Sequence, residues 1–76
     1  MKYFVEFVVS ALADKPDMVM IEEEESDRQL NYHIQVSPGD IGRVIGRKGR
    51  TINAMRSILN AANQDGRRVF LEVDNG

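Results

Sequence analysis

Apolar residues recur along this chain with two different periods, and each change of period marks a change of element. Phe4, Phe7, Val8, Ala11 and Leu12 fall at helical spacing and predict an amphipathic helix over residues 3–13. Val5 and Val9 widen its apolar side, and Pro16 with Asp17 ends it. Met18 to Glu24 reads as a strand whose second half is weakened by a run of glutamates. Ser26, Asp27 and Arg28 supply a turn. The period then becomes a strict two: Leu30, Tyr32, Ile34 and Val36 on one face, Asn31, His33, Gln35 and Ser37 on the other. That pattern predicts a half-buried strand, hairpinned antiparallel to the one before it.

Ser37-Pro38-Gly39-Asp40 reads as a helix start, with serine as cap, proline in the first turn and an acid near the positive end of the dipole. Ile41, Val44 and Ile45 make a short helix that Gly46 breaks. A longer helix opens at Arg50 or Thr51, with Ile52, Met55, Leu59 and Ala62 along its buried side. It closes in Asn63-Gln64-Asp65-Gly66, where Gly66 suits the left-handed conformation of a helix terminus. Val69, Leu71 and Val73 alternate with Phe70 and Glu72 as a last strand. The predicted order is α-β-β-α-α-β, an α+β arrangement filling a single domain over residues 1–76.

Composition removes several function classes. With 42% hydrophobic residues the chain has enough for one two-layer core. It has no cysteine, so neither a disulfide nor a zinc-thiolate site is expected, and the lone His33 is read as a neutral surface residue rather than a metal ligand. No apolar run approaches the roughly 20 residues of a membrane span. Glu6 interrupts the apolar start, which argues against a signal peptide and for a cytoplasmic protein. Glu22-Glu23-Glu24-Glu25 with Asp27 lacks the alternating ligands and central glycine of a calcium loop. No nucleophile stands beside a base in the pattern, so the expectation is a protein that is not an enzyme and needs no cofactor, metal or small-molecule substrate.

The net charge of −2 conceals a division. From Arg43 to Arg68 there are seven cations against Asp65 alone, a local charge of +6, while the remaining three cations face eleven acids, a charge of −8. Such segregation predicts one anion-seeking side.

Within the basic stretch lies Gly46-Arg47-Lys48-Gly49, between two predicted helices. A glycine on each side lets the backbone turn sharply and approach a ligand closely. The following helix adds the positive end of its dipole, and Arg47, Lys48 and Arg50 add full charges at the same place. The pieces suit a phosphodiester chain. A P-loop is excluded because Val44 stands where its first glycine belongs and its lysine is missing; a dinucleotide fingerprint is excluded because no G-x-G occurs. Arg67 and Arg68, next to a turn, read as solvated surface, and Arg56 fits either surface or site.

Val44-Ile45-Gly46-Arg47-Lys48-Gly49-Arg50-Thr51-Ile52 resembles the KH signature V-I-G-x-x-G-x-x-I without a mismatch. The order of elements is similar to the type II, prokaryotic arrangement, since type I would need a further strand and helix beyond residue 73. Val5-Glu6-Phe7, Ser37-Pro38-Gly39-Asp40 and Val69-Phe70-Leu71-Glu72-Val73 resemble its small bacterial KhpA group. The resemblance implies a three-stranded mixed sheet with three helices packed on one face. It also implies that about four nucleotides of single-stranded RNA are clamped in a groove between the loop, its flanking helices and the sheet edge.

Carried over position by position, Gly46 and Gly49 shape the loop, Arg47 and Lys48 meet phosphates, and Arg43 and Arg50 flank them. Ile45 and Ile52 occupy signature positions at the apolar groove floor, although helical spacing alone fits core equally well. The resemblance further implies an RNA chaperone or post-transcriptional regulator, pairing as a homodimer or with a larger KH-containing partner. From the residues alone, single-stranded DNA and a protein-interaction module remain alternatives.

Overall fold

Strand β2 (Gln29–Val36) organises the molecule, because its strict alternation gives it one fully apolar face. Leu30, Tyr32, Ile34 and Val36 are all buried, and the residues between them are half-buried. In this computed structural model, which describes residues 1–75, β2 pairs on one side with β1 (Met20–Glu25) and on the other with β3 (Arg68–Asn75). The β1 pairing is antiparallel, with Ile21 opposite Ile34; the β3 pairing is parallel, with Leu30 opposite Val69 and Tyr32 opposite Leu71. A parallel pair cannot be joined by a tight turn. The crossover here is helical: α2 (Ile41–Ile45), a short loop, and α3 (Arg50–Ala62).

These helices and α1 (Lys2–Leu12) cover the apolar face of the sheet. The core joins Val5 and Val9 of α1, Ile21, the four β2 residues, Val44 of α2, Met55 and Leu59 of α3, and Val69 and Leu71 of β3. Close-packed interiors tolerate deletion poorly, so trimming the central Ile34 to alanine removes about 2–5 kcal/mol. The opposite sheet face carries Glu22, Glu24, His33, Glu72 and Asp74 and has no helix over it among the described residues. The α+β architecture, mixed three-stranded sheet and one-sided helix layer match the expectation.

Several local expectations are corrected. The buried stripe of α1 is Val5 and Val9, with Val8 half-buried; Phe7 is 74% and Tyr3 86% exposed. Apolar residues nearly encircle this helix, so spacing does not select a face, and the compact valines are the side chains that fit against the sheet. Ala62 is exposed rather than buried, whereas Leu59 in the same turn of α3 is in the core. The first strand starts at Met20 because Pro16–Met18 forms a single 3-10 turn. Gly66 does have positive φ (83°), but it lies in the turn before β3; α3 stops earlier, at an extended Asn63.

Ser37 and Asp40 differ most from the capping reading. Ser37 makes no side-chain cap bond to a backbone N–H. Its hydroxyl donates to the buried Asp40 carboxylate at 3.0 Å, which also accepts the backbone N–H groups of Asp14 (2.9 Å) and Lys15 (3.0 Å). One carboxylate therefore ties the segment leaving α1 to the segment entering α2. These N–H bonds, that of Asp14 foremost, hold the Asp40 carboxyl below the usual range against the opposing effect of burial.

Candidate nucleic-acid interface

The loop after α2 is shaped by three successive backbone choices. Helix α2 closes when the Gly46 N–H donates to the Gly42 carbonyl at 2.9 Å. Gly46 then takes φ 79°, ψ 169°, a region populated essentially by glycine alone. Arg47-Lys48-Gly49 makes one tight turn, in which the Gly49 N–H donates to the Gly46 carbonyl at 3.1 Å. Lys48 and Gly49 are both left-handed, at φ 58° and 77°. For lysine that conformation costs about 1–2 kcal/mol, so the turn holds local strain at the point of closest solvent approach.

A Cβ added to Gly46 would stand 2.8 Å from the backbone nitrogen of Thr51, which packs the loop hard against the first turn of α3. That turn begins at Gly49, which has no side chain to cap the helix. Its N–H groups and dipole leave this end positive.

Charge sharpens the picture. Arg47, Lys48 and Arg50 are exposed, and none is in an ion pair among the described residues. Arg43 is exposed too, but its Nε lies 3.6 Å from Asp40 Oδ1, so it reaches back towards a buried acid rather than forward to the loop. Of the apolar signature positions, Ile52 packs against the core, while Ile45 is half-buried and stands outside the core cluster. Ile45 is thus the better placed of the two to meet a ligand, and Ile52 the better placed to support the floor.

Two different hollows lie along α3, and one of them reaches Arg50 beside the loop. On the α1 side, Phe4, Val8, Arg50, Thr51, Ala54, Met55 and Ile58 line an apolar hollow of about 350 Å³. On the β3 side, Arg56, Ser57, Asn60, Arg68, Val69 and Phe70 line a polar groove of about 580 Å³.

The family profile described as KhpA/KhpB, KH domain, matches residues 2–73. The chain belongs to the KhpA/KhpB KH-domain family. Among its relatives is the RNA-binding protein KhpA of Oceanobacillus iheyensis, 36% identical over 74 residues that cover 96% of this chain and 99% of that one. The KhpA proteins of Chlamydia trachomatis (40% identical; 96% and 95% covered) and Halalkalibacterium halodurans (42%; 96% and 97%) align over 74 residues as well. No solved structure gives a significant match.

Within this KhpA/KhpB frame the structure separates two arginines that sequence left together. Arg67 is largely covered, 2.6 Å from Asp65 and 3.9 Å from Glu25, and the paired guanidinium and carboxylate stabilise each other's charged forms. Arg68 is exposed and, with Arg56 across from it, lines the β3-side groove. Arg67 lies just before β3, two residues from its partner Asp65, so its contacts rather than strand alternation set it apart from Arg68.

Proposed function

We propose that this KhpA/KhpB-family domain binds single-stranded RNA, holding about four nucleotides beside the Gly46–Gly49 loop. The observation that carries the reading is the loop itself: bare backbone at both glycines, an uncapped helix start behind it, and the unpaired cations Arg47, Lys48 and Arg50 around it. The relatives named RNA-binding protein KhpA support the choice of nucleic acid. In this reading Gly46 and Gly49 admit the sugar-phosphate chain, Arg47 and Lys48 neutralise phosphates, and Arg50 and Arg43 flank them. Ile45 and Ile52 border the surface on which bases rest. The acidic sheet face repels RNA from the wrong side, which orients the encounter.

Three cations bind weakly, and pairing of modules raises the effective concentration. Exposed Tyr3 and Phe7 on α1, and Ile58 beside the apolar hollow, favour a protein partner on that side, either a second copy or a larger KH-containing protein. Such a pair would serve as an RNA chaperone or post-transcriptional regulator. Sedimentation as a strict monomer, alone and with a KH-containing partner, would remove this part of the reading.

The test of RNA binding is NMR shift mapping during titration with mixed-sequence single-stranded RNA. Shifts should centre on Gly46 to Ile52 and fade with added salt. A silent loop at high RNA concentration would shift the reading to a protein-interaction module, whose apolar contacts are insensitive to salt.

A further inference from the structure

We infer that the open face of the sheet, opposite the helices, is a docking surface for an extended lysine- and arginine-rich segment of a partner protein, received between the carboxylates of β1 and those of β3. The inference goes past the RNA reading of the loop and does not depend on it, because the two surfaces share no residue.

Four exposed carboxylates crowd this face: Glu22 and Glu24 from β1, Glu72 and Asp74 from β3. Glu22, Glu24 and Glu72 are in no ion pair among the described residues. Asp74 is hydrogen-bonded to His33, whose pKa is raised by that bond first and by the charges of Glu72 and Glu22 as well. Carboxylates from both outer strands thus converge on the middle of the face. Among the described residues of the three strands Arg68 is the one lysine or arginine, and it stands at the start of β3, where it lines the β3-side groove. Acids gathered without counter-charges repel RNA and attract a cationic chain.

Their register suits an extended chain. Glu22 is opposite His33 and His33 opposite Glu72, so acids stand on either side of β2, two strand spacings or about 9.6 Å apart. Glu24 lies one row to one side of that line and Asp74 one row to the other, each about 6.6–6.8 Å along its strand. An extended segment lying over β2 sends alternate side chains to its two sides with the same period. Its lysines and arginines, long enough to span the stagger, fall on the β1 acids and the β3 acids in turn. Asn31, His33 and Gln35 along the middle offer hydrogen-bonding groups to its backbone.

A hollow lies between the two sets of acids. Glu24, Asn31, Tyr32, His33 and Glu72 line about 260 Å³, room for a basic side-chain head to meet carboxylates from both outer strands. Among the described residues no three His, Asp or Glu side chains are grouped to hold a metal ion, which sets this face apart from a cation site. The basic loop of a second copy does not suit it either, because Arg47-Lys48-Gly49 is one tight turn and not an extended run. Runs of basic residues characterise arms that bind nucleic acid, so this face would hold such a partner on the side turned away from the loop.

The test uses a fluorescein-labelled peptide of about ten residues that alternates lysine with serine, read by fluorescence anisotropy at low salt. Wild-type protein should bind it and release it as salt rises. Glu22→Gln with Glu72→Gln, which keeps side-chain shape at two exposed sites, should weaken binding about tenfold, two charge pairs together. Asp17→Asn with Asp27→Asn alters the net charge equally, away from the face, and should leave affinity within about twofold. Equal loss in the two double variants, or no binding by the wild type, overturns the inference. So does sedimentation of the protein alone as a salt-labile oligomer that Glu22→Gln with Glu72→Gln dissolves, since the face would then belong to a second copy. Failure of the loop reading has a different signature: a loop that stays silent towards RNA leaves each of these outcomes unchanged.

Discussion

The backbone nitrogen of Thr51 stands 2.8 Å from the place a Gly46 side chain would begin, closer than real Cβ contacts come. Gly46 is therefore required twice, once by its backbone angles and once by the lack of room. Replacing it with alanine should cost on the order of 3 kcal/mol, combining a glycine-only conformation with a backbone clash. Gly49 differs: its φ of 77° and ψ of 13° are left-handed, a conformation asparagine tolerates, and the nearest atom is an ordinary contact 3.4 Å away. Urea unfolding should rank wild type above Gly49→Asn and Gly49→Asn well above Gly46→Ala. Equal losses at the two glycines would mean the loop is not packed on α3.

Gly42 has neither requirement. It sits inside α2, an added Cβ would meet nothing within 4 Å, and its φ is not positive. Alanine there should stabilise the domain by about 0.8–1.0 kcal/mol through helix propensity. If RNA passes over this bare turn on its way to Gly46, the same substitution weakens RNA binding while raising Tm. A more stable protein with undiminished affinity would place the RNA path elsewhere.

His33 lies on the acidic open face, 2.8 Å from Asp74, and that hydrogen bond, aided by Glu72 and Glu22, raises its pKa above the usual histidine value against slight desolvation. The folded state therefore holds the proton more tightly than the unfolded chain. Its contribution is complete below about pH 6.5, the unfolded value, and is lost as pH rises through the higher folded one. Tm should be slightly higher at pH 5.5 than at pH 8.5, and His33→Gln should flatten that part of the profile. A difference that survives the substitution would have another source.

Much of the fold was legible because β2 and α3 are patterned on one face only: Leu30, Tyr32, Ile34 and Val36 allow one register, and Met55 with Leu59 one helix orientation. The loop was legible for a related reason, since two glycines around two cations leave few structural alternatives. What escaped was information that sequence spacing does not hold. The face of α1 is ambiguous in a helix apolar nearly all round, and Arg67 is held by Asp65 together with Glu25, the latter distant in sequence. Ser37-Pro38-Gly39-Asp40 reads as a local cap because local partners are the visible ones. The two backbone N–H donors to Asp40 are 25 and 26 residues away.

That long-range tie yields the sharpest stability prediction. The Asp40 carboxylate accepts three hydrogen bonds, from the Asp14 and Lys15 N–H groups and the Ser37 hydroxyl, and Arg43 lies beside it. Asn in its place keeps the shape but offers one oxygen to two backbone donors and turns an NH₂ towards the other, so a donor faces a donor. Asp40→Asn should lower Tm by on the order of 10 °C at pH 7, a large effect for a domain of this size. Because the folded-state pKa is depressed, the wild-type advantage is complete above about pH 4 and disappears as pH falls through the folded value. The two proteins should therefore converge in stability on acidification. Some acid sensitivity will remain in the variant, since Asp65 is also held below its usual range by Arg67. A gap between the two melting curves that stays constant down to about pH 2 would show that Asp40 acts through its shape and not its charge.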